Sequence, residues 1–210
     1  ADLETPLTTW LKVGEGHPPG VLLESVEGGE TLGRWSVVAC NPLWTLSARH
    51  NQQQRIWRDG LRETFSGNPF ETLRDCLTPY KPATLSGLPP LGQLYGMWGY
   101  ELIRWIEPSV PVHSNDGDGP PEGLWMLMDS ILIFDQVKRL ITAVAYADLS
   151  GEHNASTDPE AAWTNAIERI QALKQTMAEP LPPVRPLNWT PSQGDTPSTS
   201  SNRTQDDFQQ

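Results

Sequence analysis

A chain of 210 residues with a formal net charge of −11 suits one domain of ordinary size, or one plus an arm. It lacks the basic footprint that a phosphate backbone or an anionic lipid surface requires, so nucleic-acid and membrane-surface roles are excluded as expectations. Hydrophobic residues make up 37%, with 20 Pro and 17 Gly, so turns are extensive, and no apolar run approaches the roughly 18 residues of a membrane span.

The N-terminus has no basic stretch leading into an apolar run, so no signal peptide is visible and the cytoplasm is the expected location. Nine Trp against four Phe point to a Trp-rich core, because each indole buries much area. Cys40 and Cys76 lie far apart and read as small buried hydrophobes rather than a disulfide or metal pair. His17, His50, His113 and His153 show no metal-ligand spacing.

In chain order, residues 1–13 read as a short helix around Leu7, Trp10 and Leu11, and Val21-Leu22-Leu23 as a short strand. That strand ends at Glu24-Ser25, and Glu27-Gly28-Gly29-Glu30 turns the chain into a second strand over residues 34–40. Residues 43–65 read as a three-strand meander with a hairpin turn at Asp59-Gly60, one face buried and the other carrying Arg and Glu to water. Asn68-Pro69-Phe70-Glu71 is a strong helix start, with Phe70, Leu73 and Leu77 on one face. Residues 81–92 form a connector.

Residues 94–100 are apolar, and residues 101–107 look helical, with Leu102, Ile103 and Ile106 inward and Arg104 outward. Residues 108–122 read as a solvated loop. Its Asp116 and Asp118 lack the further carboxylate that a calcium loop needs. Residues 124–134 and 140–146 are the strongest strands, joined by a hairpin at residues 135–139. Their near-continuous apolar character predicts cover on both faces. Thr157-Asp158-Pro159-Glu160 opens a helix with Trp163, Ala166, Ile167, Ile170, Leu173 and Met177 on one stripe. Together these elements predict an α+β fold, mostly antiparallel sheet with flanking helices.

Residues 1–181 are assigned to one domain and the Pro-, Ser- and Thr-rich residues 182–203 to a linker. Residues 204–210 begin with a capping-box pattern, Thr204 to Asp207, that leads nowhere. They read as the start of a further domain in a truncated chain, or as a frayed tail with a chance cap signal.

No P-loop, dinucleotide fingerprint, nucleophile elbow or zinc spacing is present, so no catalytic residue and no metal ligand is assigned. The one suggestive place is the end of the first strand. Glu24 can accept from an ammonium, Ser25 can donate and accept, and Arg34 beyond the glycine turn can face a carboxylate. Those groups suit a zwitterion. They equally suit an ordinary strand end with solvated charges.

Residues 22–42, LLESVEGGETLGRWSVVACNP, resemble the N-terminal signature of anthranilate synthase component I. Residues 96–107, GMWGYELIRWIE, resemble that family's Gly-x-x-Gly-Tyr-Asp/Glu-x-x-Arg segment. The opening DLETP and the segment FDQVKR look like cyanobacterial members. The resemblance runs over residues 2–178 and resumes at residues 202–204, which look like the entry to a chorismate-binding domain.

This resemblance implies the N-terminal part of that fold, truncated. It implies a parent enzyme that converts chorismate and ammonia to anthranilate and pyruvate, with magnesium as cofactor and a glutamine amidotransferase subunit, component II, as partner. The magnesium and chorismate residues are expected outside this chain. Within the chain the resemblance implies part of a feedback site for L-tryptophan: Ser25, with Leu23 and Glu24 beside it and Arg34 after the turn. Tyr100 and Arg104 are expected to serve packing and helix orientation. The related aminodeoxychorismate synthase component, and a stand-alone non-catalytic tryptophan-binding module, remain alternative readings.

Overall fold

The computed structural model describes residues 4–14, 19–25, 33–81, 83, 86–88, 92–110 and 119–183. The turn at residues 27–30, the Asp116-Asp118 loop segment, residues 202–204 and the helix start at residues 204–210 lie outside the described residues, as does nearly all of the expected linker.

Nine strands are described, in two antiparallel sheets. The first sheet has the order β1-β2-β8-β9, built from Gly20–Leu23, Trp35–Cys40, Ser130–Asp135 and Leu140–Ala145. The second has the order β5-β4-β3-β7-β6, from Arg62–Ser66, Gln52–Trp57, Trp44–Arg49, Gly123–Leu127 and Leu94–Trp98. Helix α1 (Pro6–Val13) and helix α3 (Pro159–Ala178) cover one sheet; α2 (Pro69–Leu77) packs on the other, with a 3-10 helix (Tyr100–Trp105) beside it. The α+β expectation therefore holds.

Three apolar clusters follow from strand alternation, which sends successive side chains to opposite faces. Val38, Leu132 and Phe134 meet Val13 of α1, with Leu173 and Met177 of α3 packed against them. The opposite face of the same strands, Val37, Ala39, Ile131 and Ile133, joins Met126 and Met128 between the sheets. Trp44, Leu46, Trp57, Trp125 and Leu127 form the third cluster, closed by Leu73 and Cys76 of α2. The Trp-rich core is thus real at Trp44, Trp57 and Trp125.

Helix starts obey local chemistry. Thr5 and Thr8 form a reciprocal capping box before Pro6. Asn68 accepts from the Phe70 N–H at 2.9 Å and Asp158 from the Glu160 N–H at 3.1 Å, each followed by Pro in the first turn. These side chains satisfy N–H groups that have no intrahelical acceptor.

Several expectations are corrected. Residues 124–134 are not one strand but two, β7 and β8, in different sheets. At the switch, Asp129 is clamped by Arg58 through two bonds of 2.9 Å, and Met128 donates its N–H to Gln93 O at 2.8 Å. Strand β9 lies at the sheet's edge among the described residues, yet both its faces are covered as expected: Val144 joins the cluster between the sheets, Ile141 and Ala143 pack on the helix side, and Leu140 at its start is 56% exposed.

Arg55, expected in water, is 6% exposed. Alternation puts it on the face of Gln53 and Trp57, opposite Leu46. Glu63 and Glu152 neutralise it, and it stacks over the Trp57 ring at 4.6 Å. Residues 100–105 coil as a 3-10 helix, whose three-residue turn aligns i with i+3. Leu102 and Trp105 therefore face the core while Ile106 is 72% exposed, and Arg104 folds inward onto Glu122. Tyr100 is 78% exposed, so it does not pack, whereas Arg104 does serve structure. Trp163 is 63% exposed: the inward stripe of α3 keeps the expected Ala166, Leu173 and Met177 but begins at Ala162 instead of Trp163.

Candidate functional site

The residues singled out at the first strand's end gather at one end of the β1-β2-β8-β9 sheet. Strand β1 pairs antiparallel with β2, Leu23 opposite Val37, and leaves the ladder there. Leu23 is 51% exposed, so an apolar side chain stands in the open at the strand's end. Just beyond, the Ser25 N–H donates to Ser36 Oγ at 3.4 Å, which ties Ser25 to β2. Glu24 is exposed and Ser25 half-buried.

Arg34 stands at the start of β2, on the same end. Its Nε and Nη2 donate to the two oxygens of Asp135, at 3.1 and 2.7 Å, and its guanidinium lies 4.5 Å from the centre of the Trp35 ring. Asp135 ends β8, which pairs with β2 so that Trp35 faces Asp135. The Asp135 side chain is 7% exposed and also accepts the N–H groups of Val137 and Lys138 at 3.1 and 3.0 Å. The hydrogen bond from Arg34, with those backbone N–H groups, holds its carboxyl down at about 2 despite burial. Gln136 closes the array: its N–H donates to Arg34 O at 2.8 Å and its Nε2 to Ser36 Oγ at 3.3 Å.

Sequence reasoning did not assign Ser36, Asp135 or Gln136 to this place. Asp135 and Gln136 read only as hairpin residues, and Ser36 as one polar residue in a strand. Asp135 and Gln136 come near Arg34 and Ser36 through β2–β8 pairing across some hundred positions of sequence, which no local spacing announces, whereas Ser36 lies two residues from Arg34 and meets Ser25 across the β1–β2 end.

A second polar cluster lies between the β4–β5 turn and α3. Asp129 holds Arg58 and lies 3.5 Å from Arg169, and Asp59 bonds His153 at 2.7 Å and Asn154 at 3.1 Å. These groups line a cleft of about 290 Å³. Within it Arg58 and Arg169 face Asp129, and His153 faces Asp59. Both cysteines are free, and burial pushes the Cys40 thiol up to about 11 and Cys76 upward, as expected for packing thiols rather than nucleophiles. Among the described residues, no three His, Cys, Asp or Glu gather to hold a metal ion, and no helix is long and apolar enough to cross a membrane.

A scan against protein-family models finds no match. Individual relatives do match. Anthranilate synthase component 1 of a Synechocystis species is 47% identical over 213 residues, covering 99% of this chain and 41% of the relative. The chain is homologous to part of anthranilate synthase component 1. Its counterpart in Pseudomonas aeruginosa is 32% identical, covering 100% of this chain and 41% of that protein. The Cereibacter sphaeroides counterpart is 36% identical over 178 residues, 81% of this chain and 34% of its own length. The chain thus spans about two fifths of the length of the curated relatives it matches most fully. Anthranilate synthase component I of Streptococcus pneumoniae shares the fold, with a TM-score of 0.50 at 21% identity over 83% of this chain and 35% of that structure.

Proposed function

We propose that this chain is the N-terminal, tryptophan-sensing portion of an anthranilate synthase component I. The parent enzyme would convert chorismate and ammonia, drawn from glutamine by a component II subunit, to anthranilate and pyruvate in tryptophan biosynthesis. The observation that carries the sensing reading is the arrangement at the sheet end. Leu23 offers apolar surface to an indole, Glu24 and Ser25 offer a carboxylate and a hydroxyl to an ammonium, and Arg34 supplies a guanidinium two residues before Ser36, which anchors Ser25. These are the group types that complement a zwitterion with an apolar side chain.

The magnesium and chorismate residues that the parent family implies are taken to lie outside this chain, so the 210 residues by themselves are expected to form no anthranilate. A chorismate-turnover assay of the purified chain checks this, and measurable turnover overturns it. For the sensing role, Ser25→Ala in the full-length protein should raise the tryptophan concentration for half-inhibition about tenfold, the effect of losing one ligand hydrogen bond. Unchanged inhibition would return Ser25 to an ordinary strand end.

A further inference from the structure

We propose that Asp135 is a positioning residue for Arg34, fixing the guanidinium where it meets the carboxylate of bound tryptophan; this rests on the tryptophan-sensing reading above. An arginine on a flexible stem samples many rotamers, and a ligand that must freeze them binds more weakly. Here the freezing is done in advance. Two parallel bonds, Nε to Oδ1 at 3.1 Å and Nη2 to Oδ2 at 2.7 Å, set both the place and the plane of the guanidinium.

The carboxylate is itself immobilised. Oδ1 accepts the N–H groups of Val137 and Lys138, so the start of the β8–β9 hairpin locks its rotation. The Trp35 ring backs the guanidinium at 4.5 Å. The same hairpin reaches the other half of the site, since Gln136 bonds Arg34 O and Ser36 Oγ, and Ser36 Oγ accepts the Ser25 N–H. The two residues divide the work: Asp135 fixes Arg34, and Gln136 ties to Ser36, which carries Ser25.

The test is calorimetric titration of the full-length protein with L-tryptophan, with thermal unfolding of each variant alongside. Asp135→Asn is expected to weaken tryptophan binding about tenfold, and Arg34→Met by at least as much. In the double variant the losses should not add, because Asp135 acts only through Arg34. Asp135→Glu keeps the charge but displaces the carboxylate by a methylene. It should still weaken binding several-fold, and it serves if Asp135→Asn does not fold. Arg104→Met removes another enclosed ion pair elsewhere and should lower the melting temperature without moving tryptophan affinity.

Wild-type affinity in both Asp135 variants, while Ser25→Ala and Arg34→Met weaken binding, overturns the positioning role and leaves the sensing reading standing. Additive losses in the double variant overturn it as well. If Ser25→Ala and Arg34→Met also bind like wild type, the sensing reading falls and takes this inference with it.

Discussion

At the scale of single residues, the Arg34–Asp135 pair has a consequence for pH dependence. An aspartate in an unfolded chain titrates near about 3.9, whereas the bond from Arg34 and the hairpin N–H groups hold Asp135 at about 2. The folded value is the depressed one. The stability that this carboxylate contributes is therefore fully present above the unfolded value and is lost as pH falls through the folded one. Between roughly pH 4 and pH 2, unfolding free energy should fall more steeply in the wild type than in Asp135→Asn, whose side chain does not titrate. Urea unfolding at a series of acidic pH values measures the two slopes. Equal slopes would mean that Asp135 is not ionised through this pair. Arg55 shows the same economy of charge in a more buried setting, where Glu63 takes both the Arg55 Nε and the Trp57 Nε1 donors at 2.6 Å, leaving no enclosed charge alone.

Among the elements, what could be read from sequence was whatever local chemistry controls. Asn68-Pro69 and Asp158-Pro159 start helices because the cap, the first-turn proline and the N–H groups they serve are neighbours in the chain. The meander β3-β4-β5 was visible for the same reason, since Asp59-Gly60 makes its turn, with Gly60 at φ +92°. What was hidden depends on partners far along the chain. The apolar run of residues 124–134 is broken only by Asp129-Ser130, too short a signal by itself to announce a change of sheet, and the chain switches there because Arg58 and Arg169 reach that carboxylate from β4's end and from α3. Likewise the inward turn of Arg104 follows from Glu122, and the outward turn of Ile106 from a 3-10 rather than an α-helical period. The candidate site divides along the same line. Leu23, Glu24, Ser25 and Arg34 belong to one stretch of sequence and were singled out together, Ser36 lies in that same stretch but reads there as one polar residue of a strand, and Asp135 and Gln136 join them only through strand pairing.

For the molecule as a whole, the decisive surface is the outer edge of β6. Among the described residues, β6 pairs only with β7, so one row of its backbone groups is left without a ladder. On β6 and the 3-10 turn that follows it stand Met97, Trp98, Tyr100 and Ile106, exposed by 44%, 55%, 78% and 72%. An unpaired strand edge flanked by large apolar side chains is a template for association with another chain. Opposing it is the net charge of −11, which repels a second copy. The two effects differ in range and in salt response. Charge repulsion is screened beyond about 8 Å at physiological ionic strength and fades further as salt rises, while apolar burial does not. The 210-residue chain should therefore self-associate in a concentration-dependent way, and more strongly at high salt. Sedimentation velocity at low and high salt measures this, with Tyr100→Lys/Ile106→Lys expected to return the sample toward monomer. Association that weakens with added salt, or that persists unchanged in the double variant, would place the contact on a charged surface elsewhere.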